Sequence, residues 1–380
     1  MLYLGAGLWH IARATPKSQQ GAKMIVPLFS TLKKILSIFI FCLLTLHLNV
    51  CLAEPVIIDH TCTDLSRIPS EWIVKAKADL HIAYQHTSHG SQLVTGMNAL
   101  RSFPVFGTTY DWDDTGVRAG ALDLDDLGIA GCADLSQGDS IDANGVTPWV
   151  TATRALLDNS ANNHINVIMW SWCSINGHDI GRYLTNMEIL IGEYGKGGTK
   201  LRATDHPVEF VFMTGHAEGQ GEVGSVFAAN EQIRQHCRDH ERILFDFADI
   251  ESYDPDGNYY FDLNMYDDLD YTKVYARDSN WGIEWTDENA GSELEQITTG
   301  NEVSGYSGCG ECAHSGSAAS GETINCVLKG RAVWWMFATL AGWNETSGGD
   351  DDDDDPVDDD AEAAGGASGG GCYIQSLLLR

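Results

Sequence analysis

The segment Asp79-Leu-His-Ile-Ala-Tyr-Gln-His-Thr-Ser-His-Gly90 passes from a strand-like apolar run into small and polar residues, and a helical pattern begins at Gln92. A buried strand that breaks directly into a helix is the repeating unit of parallel α/β sheets, and the rest of the chain repeats it. Ser70 to Lys77 reads as a short helix, Asp79 to Tyr84 as a strand and Gln92 to Ser102 as a helix. The Gly- and Asp-rich stretch from Gly107 to Gly145 reads mostly as loop. Pro148 then opens a helix over Trp149 to Asp158, and the apolar run His164 to Trp170 reads as a buried strand. Helices over Ile180 to Tyr194 and Gly224 to His240 alternate with strands over Val208 to Met213 and Ile243 to Phe247. The interval Ile250 to Gly308 is polar and rich in Asp, Tyr and Trp, with no clean period; it reads as an insertion beside the functional edge of the sheet. Thr323 to Trp343 closes the pattern as an apolar helix. Lys329 and Arg331 interrupt it, so it is expected to pack in the core rather than to span a membrane. The expected fold is α/β, a three-layer sandwich with a central parallel sheet flanked by helices.

A chain of 380 residues, 43% hydrophobic and 20% charged, has enough apolar surface for one large domain, placed at residues 54–343. The formal charge of −31 argues against nucleic acid and anionic membrane as partners, because neutralising phosphate needs clustered Lys and Arg. Asp350 to Asp355 and Asp358 to Asp360 carry nine of the negative charges, in a tail (344–380) with too little apolar surface to fold before residue 373. That tail reads as a self-repelling, Gly-rich spacer ahead of Cys372.

At the other end, Lys33 and Lys34 precede an apolar run from Ile35 to Val50, and Ala53 follows. This order is that of a secretory signal peptide cleaved after Ala53, with Met24 as the natural start and residues 1–23 a mis-assigned upstream extension. Export permits disulfides. Seven cysteines lie between Cys62 and Cys326, an odd number that leaves at least one unpaired within the set. Cys309-Gly-Glu-Cys312 reads as a disulfide or free-thiol element rather than half of a zinc site, since no second Cys-x-x-Cys completes a tetrahedron. No cofactor or metal is called for. Asp254-Pro-Asp-Gly-Asn258 has alternating carboxylates but lacks the spacing of a calcium loop and reads as a turn.

Acyl transfer needs a nucleophile, a base, a group that orients the base, and donors for the oxyanion. Ser88 stands where a strand gives way to a helix, with Gly90 allowing a sharp turn. His314 lies in the loop ahead of the closing helix, and Glu311 stands three residues before it. Thr214-Gly-His-Ala-Glu-Gly-Gln220 ends another strand and brings His216 or Glu218 to the same cleft.

On these residues the chain resembles the SGNH, or GDSL-like, hydrolase superfamily, with its flavodoxin-like sandwich. His86-Thr-Ser-His-Gly90 stands for the block that carries the nucleophile, and Glu311-Cys-Ala-His314 for the last block, which in the family is Asp-x-x-His. The resemblance covers residues 78 to 343 and implies Ser88 as nucleophile, His314 as base and Glu311 as orienter. It also implies two oxyanion donors: a glycine, Gly131 or alternatively Gly128, and an Asn after the strand that ends at Trp170. Cys173 occupies the expected Asn position, so either Asn176 takes the role or backbone N–H groups do. The implied protein is an exported serine esterase of the periplasm, cell surface or medium of a Gram-negative bacterium, acting on a polysaccharide O-acetyl or a lipid ester. Tyr259, Tyr260, Trp281 and Trp285 in the insertion favour a carbohydrate. The approach to Cys372-Tyr-Ile374 resembles the Gly-rich, Cys-containing tails of exported Gram-negative proteins, which implies attachment to the cell envelope.

Two other readings compete. One is a metal-dependent hydrolase built on His86, His89 and His216. The other is a non-catalytic surface protein that keeps the fold.

Overall fold

The computed structural model describes residues 54–345. The expected signal peptide, the upstream extension and nearly all of the acidic tail lie outside them. Seven parallel strands form one sheet: β1 (Val56–Ile58), β2 (His81–Gln85), β3 (Trp112–Asp113), β4 (Leu122–Asp126), β5 (Val167–Trp170), β6 (Glu209–Met213) and β7 (Ile243–Phe245). Their spatial order is β1-β7-β6-β5-β2-β4-β3.

Side chains alternate between two apolar layers. Ile82, Tyr84, Val167, Met169, Val211 and Met213 enter one core, whereas Ala83, Ile168, Trp170, Phe210 and Phe212 enter the other. Both faces are thus buried, which is why these strands read as near-continuous apolar runs. The first layer is covered by α1 (Ser70–Asp79), α2 (Ser91–Ser102), α7 (Phe247–Ser252) and α10 (Ile324–Leu340); the second by α3 (Pro148–Leu157), α4 (Ile180–Tyr194) and α6 (Ser225–Asp239). A one-turn helix, α5 (Arg202–Asp205), precedes β6. The fold is the expected three-layer α/β sandwich.

Helices α2 and α10 meet backbone to backbone. A Cβ at Gly96 would run into the Cys326 carbonyl, and one at Gly330 into the backbone of Gly96, so the close approach requires glycine at both positions. This contact brings the start of α10, and the loop before it, over the start of α2.

Two stretches differ from expectation. Gly107 to Gly145 holds β3 and β4: Leu122 and Leu124 are buried while Asp123 and Asp125 are only partly covered, a period-two pattern obscured by the surrounding Gly and Asp. His81 of β2 lies 2.6 Å from Asp123 of β4 across the pair. The interval 250–308 contains a short antiparallel pair, β8 (Asp270–Tyr271) with β9 (Ser279–Asn280), and the helices α8 (Trp281–Glu288) and α9 (Glu293–Thr299). Trp281 and Trp285 are buried there, so their rings serve the core and do not present a face to a sugar. Asp254 to Asn258 forms a turn in which Asp254 Oδ1 accepts from the N–H groups of Asp256 and Asn258 at 3.0 and 2.9 Å.

Among the described residues no helix is long and apolar enough to cross a membrane.

Candidate functional site

The five inner strands run β4-β2-β5-β6-β7, so the chain first goes to one side of β2 and then returns to the other. Sheets of this kind bind ligands beyond the carboxyl ends of the strands at that reversal, where the connections diverge and leave a crevice. Ser88 lies at the carboxyl end of β2, at the reversal itself.

Ser88 has φ +44°, a conformation that L-residues rarely adopt. Its neighbours hold it there. Gly90 N–H donates to Thr87 O at 2.9 Å, Ser91 Oγ donates to Ser88 O at 2.7 Å, Tyr84 Oη donates to Gly90 O at 2.8 Å, and Thr87 Oγ1 donates to Asp134. A Cβ at Gly90 would strike Ser171, at the end of β5, and His86. The turn therefore lifts Ser88 Oγ out of the sheet edge, where it hydrogen-bonds His314 Nε2, 226 positions away.

His314 stands in a tight turn with φ +62°. Cys312 and Gly316 exchange both backbone hydrogen bonds at 3.0 Å, and a disulfide joins Cys312 to Cys326 in the first turn of α10. Cys309, the other half of the Cys-x-x-Cys element, is a buried free thiol.

Glu311, the expected orienter, is exposed and has no hydrogen bond or ion pair among the described residues. The carboxylate brought to the site is Asp267, from the insertion. Its Oδ2 accepts from His89 Nε2 at 2.8 Å, and ligand atoms of His89, Asp267 and His314 all lie within 4.8 Å of one another. The His89 ring is sandwiched, stacking on His216 at 3.6 Å between centroids and on His314 at 4.1 Å. Burial pushes His89 down to about 4, outweighing the pull of Asp267. Burial alone would raise Asp267, yet the His89 hydrogen bond and the surrounding imidazoles hold it below the usual carboxylate range. The pair is thus a neutral imidazole donating to an ionised carboxylate.

The expected oxyanion residues are placed differently. Gly131 faces Ala152 of α3 and lines a cleft of about 440 Å³ that does not contain Ser88. The N–H of Gly128 donates to Tyr84 O at 3.1 Å. Cys173 uses its N–H on Ser136 Oγ at 3.0 Å, and its thiol is unpaired. Asn176 Nδ2 donates to Glu218 at 2.8 Å while its Oδ1 accepts from Ser225. No hydrogen bond joins these residues to Ser88 or His314. His216 does belong to the site, through its stack on His89; its Nδ1 donates to Ala217 O, and its buried Nε2 lies 3.8 Å from Glu218. Another cleft, of about 340 Å³, lies at the ends of β1 and β7, lined by Asp59, Phe227, Arg234 and Tyr253 among others, and is also separate from Ser88.

The His86, His89 and His216 metal set is not assembled. His86 Nε2 pairs with Asp126 at 2.7 Å, and the planes of His89 and His216 are 10° apart. Imidazole lone pairs lie in the ring plane, so those of stacked parallel rings do not converge on one ion. The lone pairs of His89 and His314, whose planes are 13° apart, diverge in the same way.

No protein-family model, curated protein or solved structure matches the chain. The case for function therefore rests on the geometry.

Sequence reasoning missed Asp267, one of several acids in Met265-Tyr-Asp-Asp-Leu-Asp270, and the buried Gln92, Glu251, Asn325 and Lys329 beneath the site. A buried lysine in an otherwise apolar helix is the one signal that was available for the latter group.

Proposed function

We propose that the protein is a serine esterase of SGNH-like type, exported from the cytoplasm, that cleaves esters through an acyl-enzyme. The single observation that carries this reading is the hydrogen bond from a serine held at positive φ, at the end of a buried strand, to a histidine from the last loop before α10.

In the proposed reaction His314 Nε2 takes the proton as Ser88 Oγ bonds to the ester carbonyl carbon and the carbonyl electrons move onto oxygen. Collapse of the tetrahedral species expels the alkoxide, which takes the proton back from His314. Water then repeats the sequence on the acyl-enzyme and releases the acid. The imidazolium formed at His314 lies against the π face of neutral His89 and close to ionised Asp267, both of which favour positive charge there. The N–H groups of Ser88 and His89 open the turn after β2 without an acceptor among the described residues and are the oxyanion donors of this reading. With Trp281 and Trp285 buried, only Tyr259 and Tyr260 of that aromatic set keep partial exposure, and both a sugar ester and a lipid ester remain within this reading. Export is supported by the Lys33-Lys34 and apolar leader pattern together with the Cys312–Cys326 disulfide.

The test is labelling with a fluorophosphonate, which reacts only with an activated serine. The expected result is one adduct on Ser88, absent in Ser88→Ala, with ester hydrolysis that survives a strong chelator. An unlabelled wild-type chain would instead favour a non-catalytic protein on this fold, a reading supported by the engagement of Gly128 and Asn176 elsewhere.

A further inference from the structure

Lys329 lies in α10 with no solvent exposure, and all three of its ammonium donors are used: on Gln92 Oε1 at 2.5 Å, Glu251 Oε2 at 2.6 Å and Asn325 Oδ1 at 2.7 Å. Its Nζ also sits 3.6 Å from the centroid of the Phe247 ring. Each of the three partners passes the connection on to a different loop of the site. Gln92 Nε2 donates at 2.6 Å to the carbonyl of Ala313, the residue before His314. Glu251 Oε1 accepts at 2.5 Å from the N–H of Ala217, the residue after His216. Asn325 Nδ2 donates at 3.1 Å both to the carbonyl of Asp267 and to Ser315 Oγ, the residue after His314. One ammonium thus joins α2, α7 and α10 to the backbone at Asp267 and to positions adjacent to His216 and His314.

Burying an ion pair removes two charges from water, and an apolar group of similar size in such a place is commonly as stable or more so. A core selected only for stability has no need of this arrangement. What an ammonium supplies and a methyl group does not is three directed donors at fixed angles. Lys329 touches neither Ser88 nor the rings of the site, so its action is through other residues.

We propose that Lys329 is a positioning residue, whose contacts through Gln92, Glu251 and Asn325 set the register of the loops that carry His314, His216 and Asp267 against Ser88. Its effect on catalysis rests on the esterase reading above; its effect on the placement of the loops does not.

The test uses the full chain carrying Lys329→Met together with Glu251→Gln, which removes both buried charges at nearly constant volume and leaves position 251 able to accept from Ala217. Circular dichroism and thermal unfolding are expected to show a folded protein with a lowered melting temperature, because Gln92 Oε1 and Asn325 Oδ1 lose their ammonium donor. The rate of fluorophosphonate labelling is expected to fall at least tenfold, and kcat on a soluble ester to fall by the same factor with KM within twofold. Independently of activity, the imidazole NMR signals of His89, His216 and His314 are expected to shift or broaden while those of surface His206 and His240 stay in place. A folded double variant with unchanged signals for the three site histidines overturns the proposal. Should wild type itself prove inert to the probe, the esterase reading fails, and the NMR comparison alone decides the role of Lys329. If the double variant does not fold, Lys329→Arg is measured in its place: the proposal expects the same histidine signals to move, because a planar fork cannot reproduce three donors radiating from one point, and unmoved signals overturn it.

Discussion

Two carboxylates compete for the role of stabilising positive charge on His314, and exchanging each for its amide separates them. Asp267 is within 4.8 Å of a ligand atom of His314. At an effective dielectric of about 20, opposite unit charges at that separation attract by roughly 3.5 kcal/mol. The Asp267 side chain is 23% exposed, so solvent screening reduces this to about 2 kcal/mol. Asp267→Asn keeps the shape and an oxygen to accept from His89 Nε2, and removes only the charge. The expected result is a loss of roughly 30-fold in kcat and in the second-order rate of fluorophosphonate labelling, with KM little changed. Glu311→Gln, at an exposed position without a hydrogen bond, is expected to leave both rates within about twofold of wild type. The assay is stopped-flow hydrolysis of an activated ester, with burst amplitude to count active sites. A loss on Glu311→Gln equal to or greater than that on Asp267→Asn would refute the reasoning and return the orienting role to the residue that precedes His314 in sequence.

Ser88→Gly removes the proposed nucleophile and also the cost of holding a side chain at φ +44°, so labelling is expected to vanish while denaturant unfolding shows a gain of about 1 kcal/mol. Cys312 and Cys326 close a loop with a sequence separation of 14, and replacing both with Ser is expected to lower stability by roughly 3 kcal/mol. The His314 turn is expected to loosen first, which hydrogen exchange at residues 312–316 would report. For His89, the folded value of about 4 lies below the ordinary 6.5, so the unfolded chain binds the extra proton between them. The stability this contributes is complete above about pH 6.5 and is lost as the pH falls toward 4, up to roughly 3 kcal/mol. Urea midpoints of wild type are expected to drop across that window by more than those of His89→Gln.

A charge-free change in the scaffold tests the helix contact beneath the site. Gly96→Ala places a methyl group against the Cys326 carbonyl and is expected to cost about 3 kcal/mol, because two backbones cannot separate without dragging the disulfide and the His314 loop with them. Thermal unfolding with and without this substitution measures it.

The layers of the fold were legible in the chain because burial on both faces leaves a local mark. Ile82-Ala-Tyr84, Val167-Ile-Met-Trp170 and Phe210-Val-Phe-Met213 are continuous apolar runs whose alternate residues enter opposite cores, and no distant contact is needed to read them. Leu122-Asp-Leu-Asp125 carried the quieter alternation of a half-covered strand and was lost among turn residues. Ser88 could be singled out because a strand-to-helix junction is also a local event. The partner of His314 could not. Separation by three residues brings side chains together on a helix, and Glu311 and His314 are instead parted by a hydrogen-bonded turn at positive φ. Asp267 reaches the site only because the insertion folds back over α10, where Asn325 holds its carbonyl, and Lys329 finds its three acceptors only once α2, α7 and α10 have packed. Local pattern determines which residues are buried and in which kind of element; which acid meets which base is set by long-range packing, since the energy of that meeting depends on distances that the chain does not have until it is folded.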